Sequence, residues 1–281
     1  MTNDRYTIAL VSDVFHDSSG PDRLDACLAQ ARAKGAQLAV LPELPLNPWS
    51  MATKSARERD AEPPGGSRHR LQEAAARRAG IAVLGGVIVR DPFRGTRTNT
   101  ALLINGEGQT IATYAKMHVP QEPGWWEASH YAPGVRLPQV VRALGPVLGI
   151  QICSDANRPV GAQYLAARGV EVILGPRATA SSTYRRWRLA YRAMALMTGS
   201  FVVSVNRPRP ELGVNFGGGS IVVTPSGDVV LETDDPVAVF ALNLLDVARA
   251  RTDYPGYLAY PAAAYAAAWQ DFDSSGKTET P

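Results

Sequence analysis

Three side chains far apart along the chain could share one reaction centre: Glu43 in "AVLPELP", Lys116 in "ATYAKMHVP" and Cys153 in "LGIQICSDANRP". A thiol attacks as its thiolate, and because a free cysteine titrates near pH ~8.5, reaction at neutral pH needs a base or a cation beside it. Glu43 could supply the base. Lys116, with the backbone N–H of Ser154, could stabilise the oxyanion that forms when Cys153 attacks an amide carbon. Singly, each has an ordinary reading as a loop carboxylate, a solvated strand end or a core thiol. Together they describe acyl transfer.

Each of the three closes an apolar run, and the carboxyl ends of strands are where an α/β sheet gathers its site. Strands are expected at "YTIALVSD", "LAVLPE", "IAVLGGVIVR", "TNTALLIN" and "QTIATYAK", with helices over 22–34 and 67–79 and a hairpin at "INGEGQ". A second series begins at "VLGIQIC", followed by helices over 161–168 and 183–198 and the strands "VEVILGP", "SFVVSVN", "SIVV", "DVVLET" and "AVFALNLL". The layout is mixed α/β with no Gly/Ser or charged linker, which suggests one two-layered body across residues 1–281. From 246 to 270 the composition turns to Tyr, Pro and Ala, a tail expected to pack on the body or on a neighbouring subunit, and 271–281 are expected to be disordered.

Those segments resemble the nitrilase superfamily of carbon–nitrogen hydrolases, whose Glu-Lys-Cys triad has this chain order. "LPE", "YAKMHVP" and "GIQICSD" are similar to its base, lysine and nucleophile motifs, and Glu127 in "WWEASHYAPG" to its second glutamate. The resemblance implies a four-layer αββα sandwich and a homodimer or larger homo-oligomer. It also implies a cofactor-independent amidohydrolase that cleaves a small carboxamide or N-carbamoyl compound through a thioester, with Glu127 fixing the lysine. Nitrile hydrolysis is the rival within the superfamily, disfavoured because Ser154 stands where nitrile-cleaving members tend to carry tryptophan. A catalytically silent ligand-binding homologue is the rival outside it. The chain departs from the family in "CSDANRPVG", with Arg158 displaced and Val160 in place of a glutamate, and at Met197, where a polar residue is frequent.

Trp125 and Trp126 are expected to wall a substrate cavity. Ser154, Arg158 and Arg177 are candidate substrate contacts, and either arginine could grip a carboxylate bidentately. Asp155 reads as a turn stabiliser. His118, Glu122, Glu127 and His130 invite a metal reading, but Pro120, Pro123, Gly124 and Pro133 break the helix that such a ligand set would need, so no metal is expected. The chain has only four lysines, Lys34, Lys54, Lys116 and Lys277, among 29 basic residues, a hint that position 116 rejects arginine.

Composition limits the partners. A formal charge of +3 over 281 residues, with no dense basic block, lacks the footprint of a nucleic-acid or membrane-surface binder and leaves a small molecule as the expected partner. No apolar run approaches the ~20 residues that span a bilayer, and the two cysteines do not make a disulfide framework. These features point to a cytoplasmic protein with reduced thiols, Cys27 being core packing on a helix face.

Overall fold

The computed structural model describes residues 4–274. Its first half is β1 (Arg5–Val11), α1 (Gly20–Ala33), β2 (Leu38–Val40), α2 (Ser67–Ala79), β3 (Ala82–Arg90), β4 (Arg97–Ile104) and β5 (Thr110–Ala115). The second is β6 (Leu148–Ile150), α3 (Pro159–Ala167), β7 (Val172–Arg177), α4 (Tyr184–Thr198), β8 (Phe201–Asn206), β9 (Ser220–Val223), β10 (Val229–Thr233) and β11 (Val237–Asn243). Two short helices follow, α5 (Leu245–Thr252) and α6 (Ala262–Ser274).

Two sheets form, in the orders β11-β1-β2-β3-β4-β5 and β10-β9-β8-β7-β6. Strands β1-β2-β3 and β6-β7-β8 run parallel, β6 being an edge, and the other pairings are antiparallel. Alternation along β1 shows why they stack: Ile8 and Leu10 face the other sheet, joining Ile150, Leu174 and Val203, whereas Ala9 and Val11 face helices, joining Leu24, Leu28 and Ala75. In β8, Val203 points to the inter-sheet core while Val202 meets Tyr191 and Met194 of α4. Both faces of each sheet centre are therefore apolar, which is why these strands read as continuous hydrophobic runs. The result is the expected αββα sandwich.

Two expected strands end early, and the shortening makes the site. The run "LAVLPE" pairs only to Val40, because Pro42 cannot donate to a ladder and Leu44 takes a left-handed backbone (φ 50°). The run "VLGIQIC" pairs through Ile150, and Cys153 opens a 3₁₀ turn, Cys153–Asn157. Helix α3 starts two residues before its expected position, with Pro159 in the first turn, where a missing N–H costs nothing.

The tail forms helix α6, whose described side chains through Asp271 are exposed in the single chain. The helix continues through Ser274, and the remainder of the segment expected to be disordered, 275–281, lies outside the described residues. Among the described residues no helix is long and apolar enough to cross a membrane.

Candidate active site

Three loops at the carboxyl ends of β2, β5 and β6 carry Glu43, Lys116 and Cys153. The Glu43 loop is held by Arg207, which donates to the carbonyls of Glu43, Leu44 and Asn47 at 2.9 Å each. Arg207 is itself fixed by Glu211 at 2.7 Å and lies over Trp49 and Phe216. Lys116 follows β5 directly, and its carbonyl accepts from the Gly134 N–H at 2.7 Å. A Cβ at position 134 would sit 2.3 Å from the Ala115 carbonyl oxygen, so only glycine lets this return segment lie so close.

At the centre is a buried nest of charge. Lys116 Nζ donates to Glu43 Oε1 at 2.8 Å and to Glu127 Oε2 at 2.5 Å. Asn99 Nδ2 donates to the same Glu43 oxygen at 2.7 Å, and the Tyr131 hydroxyl donates to Glu127 Oε2. Lys116, Glu127, Glu43, Asn99 and Tyr131 are all buried. Two oxygens, Glu43 Oε2 and Glu127 Oε1, are buried with no hydrogen-bond partner among the described residues. An unpaired buried acceptor is costly and is a natural place for a proton or a substrate donor to bind.

The electrostatics follow from two carboxylates sharing one ammonium. Burial works against the charged lysine, but Glu127 and Glu43 outweigh it and hold Lys116 above the ordinary lysine range. Burial, followed by the nearby Glu43 charge, pushes Glu127 up to about 7 against the opposing pull of Lys116. Burial also pushes the Cys153 thiol well up, and Glu43 adds to this, while Lys116 and a backbone hydrogen bond from Ala178 oppose it. At rest Cys153 is therefore held as the thiol.

Cys153 has φ 46°, a left-handed conformation unusual for a residue with a side chain. Two of the three non-glycine residues with positive φ among the described residues, Leu44 and Cys153, lie next to or at the candidate reacting groups. Asp155 ties the turn down: its carboxylate accepts from the Ile152 N–H at 3.1 Å, the Tyr114 hydroxyl at 2.8 Å, and the Met117 and His118 N–H groups at 3.2 and 2.9 Å. His118 Nδ1 lies 2.8 Å from the same carboxylate, and Ser154 Oγ donates to the His118 carbonyl. One side chain thus fastens the nucleophile turn to the chain immediately after Lys116.

Cys153 and Ser154 line a cavity of about 250 Å³ walled by Trp125, Ala178, Ala180 and Trp187. Trp125 is fixed by its indole N–H, which donates to the Ala178 carbonyl at 2.7 Å, and by an edge contact with Phe216. Three sequence expectations are corrected. Trp126 does not line the cavity but packs under Lys54, whose Nζ lies 4.2 Å from the ring centre. Arg158 stands exposed outside the lining, because its N–H closes the turn onto Asp155 and its side chain points to solvent. Arg177 is fully buried between Tyr184 and Tyr191, with donors directed to Ser204, Thr179, Gly218 and Gly219, so no free fork remains to grip a substrate.

The residues of the metal reading point to separate partners: Glu127 to Lys116, His118 to Asp155 and His130 to the Thr53 carbonyl. Among the described residues no group of three or more His, Cys, Asp or Glu is placed to hold a metal ion. Sequence reasoning missed Asn99 and Tyr131. A polar Asn inside the strand "RTNTALLI" and a Tyr four residues after Glu127 were the available signals.

The carbon-nitrogen hydrolase family model matches residues 15–251. A hydrolase of Mycobacterium tuberculosis is 30% identical over 239 residues, covering 79% of this chain and 83% of its own. A bifunctional nitrilase/nitrile hydratase of Nicotiana tabacum is 26% identical over 300 residues, covering 92% and 83%. The crystal structure of an amidase from Nesterenkonia sp. superposes with a TM-score of 0.72 at 28% identity, covering 85% of this chain and 89% of that one. A variant of that amidase shows covalent addition of the acetamide moiety of fluoroacetamide at the active-site cysteine.

Proposed function

This chain belongs to the carbon–nitrogen hydrolase family, and from that premise we propose that it is a cysteine-dependent amidohydrolase acting on a small carboxamide or N-carbamoyl compound. The observation that carries the reading is the division of labour on Glu43: Oε1 is held by Lys116 and Asn99, while Oε2 is buried and unpartnered. A fixed carboxylate with one free oxygen is available to take the thiol proton once the Cys153 sulfur turns within hydrogen-bond reach.

In this mechanism Glu43 accepts the proton from Cys153, and the sulfur attacks the amide carbon as the C=O π pair moves to oxygen. The Lys116 ammonium and the Ser154 N–H stabilise that oxyanion. Glu43 returns the proton to the departing nitrogen, the C–N bond breaks, and ammonia or an amine leaves a thioester. Water, deprotonated by Glu43, attacks the thioester; the C–S bond breaks, the thiol regains its proton and the acid is released. Glu127 keeps the ammonium in place throughout.

The test is ammonia release from a panel of amides and nitriles, together with intact-protein mass spectrometry after fluoroacetamide treatment. The expected result is turnover of an amide, with an adduct on the wild type and none on Cys153→Ala. Failure of every amide combined with no adduct on Cys153 overturns the proposal, and faster turnover of nitriles moves it to the nitrile reading.

The same reading places a second copy against α3 and α4, where Val160, Leu189, Leu196 and Met197 stand exposed. Sedimentation should show a dimer or larger assembly that Leu189→Glu weakens; a monomer at micromolar concentration would remove this part.

A further inference from the structure

The cavity that Cys153 opens into carries two charges that the proposed chemistry does not use, Arg186 and Glu122. Arg186 comes from the first turn of α4 and Glu122 from the loop after Lys116. Both residues are exposed, and among the described residues neither side chain has a hydrogen-bond or ion-pair partner, including each other. The rest of the wall is mixed, with Pro120, Trp125, Ala178, Ala180 and Trp187 beside the uncharged polar Ser154, Asn157, Thr179 and Thr183, so Arg186 and Glu122 are its only charges among the described residues.

We propose that the substrate is zwitterionic beyond its scissile amide, with a carboxylate held by Arg186 and an ammonium held by Glu122. The inference rests on the amidohydrolase reading above. A neutral ligand filling this cavity would displace water from the inward side of both charges and return nothing to either. A purely anionic ligand would satisfy Arg186 while facing Glu122, and a purely cationic one would do the reverse. A ligand carrying both charges satisfies both. Size agrees: about 250 Å³ lies just below the ~300–1,000 Å³ range of ligand pockets, which suits a small substrate. Arg158 and Arg177, the sequence candidates for carboxylate binding, are directed elsewhere.

The experiment compares kcat/KM on the full-length enzyme for four carboxamides of equal length, bearing no charge, a carboxylate, an ammonium or both. The zwitterion is expected to lead the neutral amide by roughly tenfold, the product of two exposed charge pairs worth about threefold each. Arg186→Gln should lower the carboxylate-to-neutral ratio by about threefold, with partial recovery in Arg186→Lys, and Glu122→Gln should lower the ammonium-to-neutral ratio by about the same. Ratios within one variant cancel a folding defect, which slows all four substrates together. Preference for the neutral amide, or ratios unmoved by these substitutions, overturns the inference. Equilibrium dialysis of the same four compounds on Cys153→Ala reads the ratios without turnover. Intact binding ratios with no ammonia release would overturn the hydrolase reading and support the site.

Discussion

Lys116 has carboxylates at 2.8 and 2.5 Å and no exposed surface, whereas Arg186, on the wall of the adjoining cavity, is exposed and unpaired among the described residues. Both are cations near Cys153, but their surroundings assign them different work. In the nest, protein dipoles and counter-charges replace water before any ligand arrives, so the field at the reacting atoms is fixed and strong. At the rim, water solvates the charges until a ligand displaces it. In the proposed mechanism, chemistry depends on the first arrangement and selectivity on the second.

The largest expected effect is at the base: Glu43→Gln should lower kcat for ammonia release by about 10²- to 10⁴-fold while circular dichroism stays native. Activity within tenfold of wild type would erase the distinction between nest and rim. Next comes Lys116→Met, which leaves Glu43 and Glu127 buried without a cation and should destabilise the fold at neutral pH by about 3–5 kcal/mol. Both carboxyl groups then take up protons more readily in the folded chain than in the unfolded one. The deficit therefore shrinks at low pH and grows as pH rises. Urea unfolding at pH 5 and pH 8 checks this, and equal deficits at both would show that the two carboxylates do not depend on the ammonium.

A subtler effect is expected at Tyr131. With Glu127 near pH 7, activity should decline as the pH drops through that value, because a protonated Glu127 no longer holds the ammonium by charge. Tyr131→Phe removes a donor to the Glu127 carboxylate and should move that acid limb of kcat/KM upward by about one unit; an unmoved limb would assign it to another group. The smallest effect is at Arg158, where Arg158→Ala should alter kcat/KM less than twofold, since the side chain is exposed outside the cavity lining.

The strands and helices were legible because period-two and period-3.6 apolar patterns report burial directly, as in β1, where neighbouring residues divide between two cores; the four-layer stacking followed from the family resemblance. The triad was legible because each member follows an apolar run. What failed was direction. Arg177 and Trp126 are adjacent in sequence to cavity residues Ala178 and Trp125, yet their side chains leave the other way. Local sequence gives the position along the chain, but the packing of distant segments decides which neighbour faces the cavity. Arg186 was hidden for the same reason, since it sits among four arginines in "YRRWRLAYR" and only the docking of α4 singles one out. Asn99 was obscured by the polar Thr98 and Thr100 beside it, among which one more polar residue did not point to a partner 56 positions away.

The backbone at Cys153 bears on how this protein would respond to selection for heat resistance. Replacing an alanine by glycine ordinarily weakens a fold, because the unfolded chain gains freedom. At a position with φ 46°, the order should level or invert, since any Cβ there carries a penalty of about 1–2 kcal/mol that glycine escapes. Cys153→Gly should melt no lower than Cys153→Ala. A screen that rewards survival on heating without demanding turnover would therefore show no preference for alanine over glycine at this position.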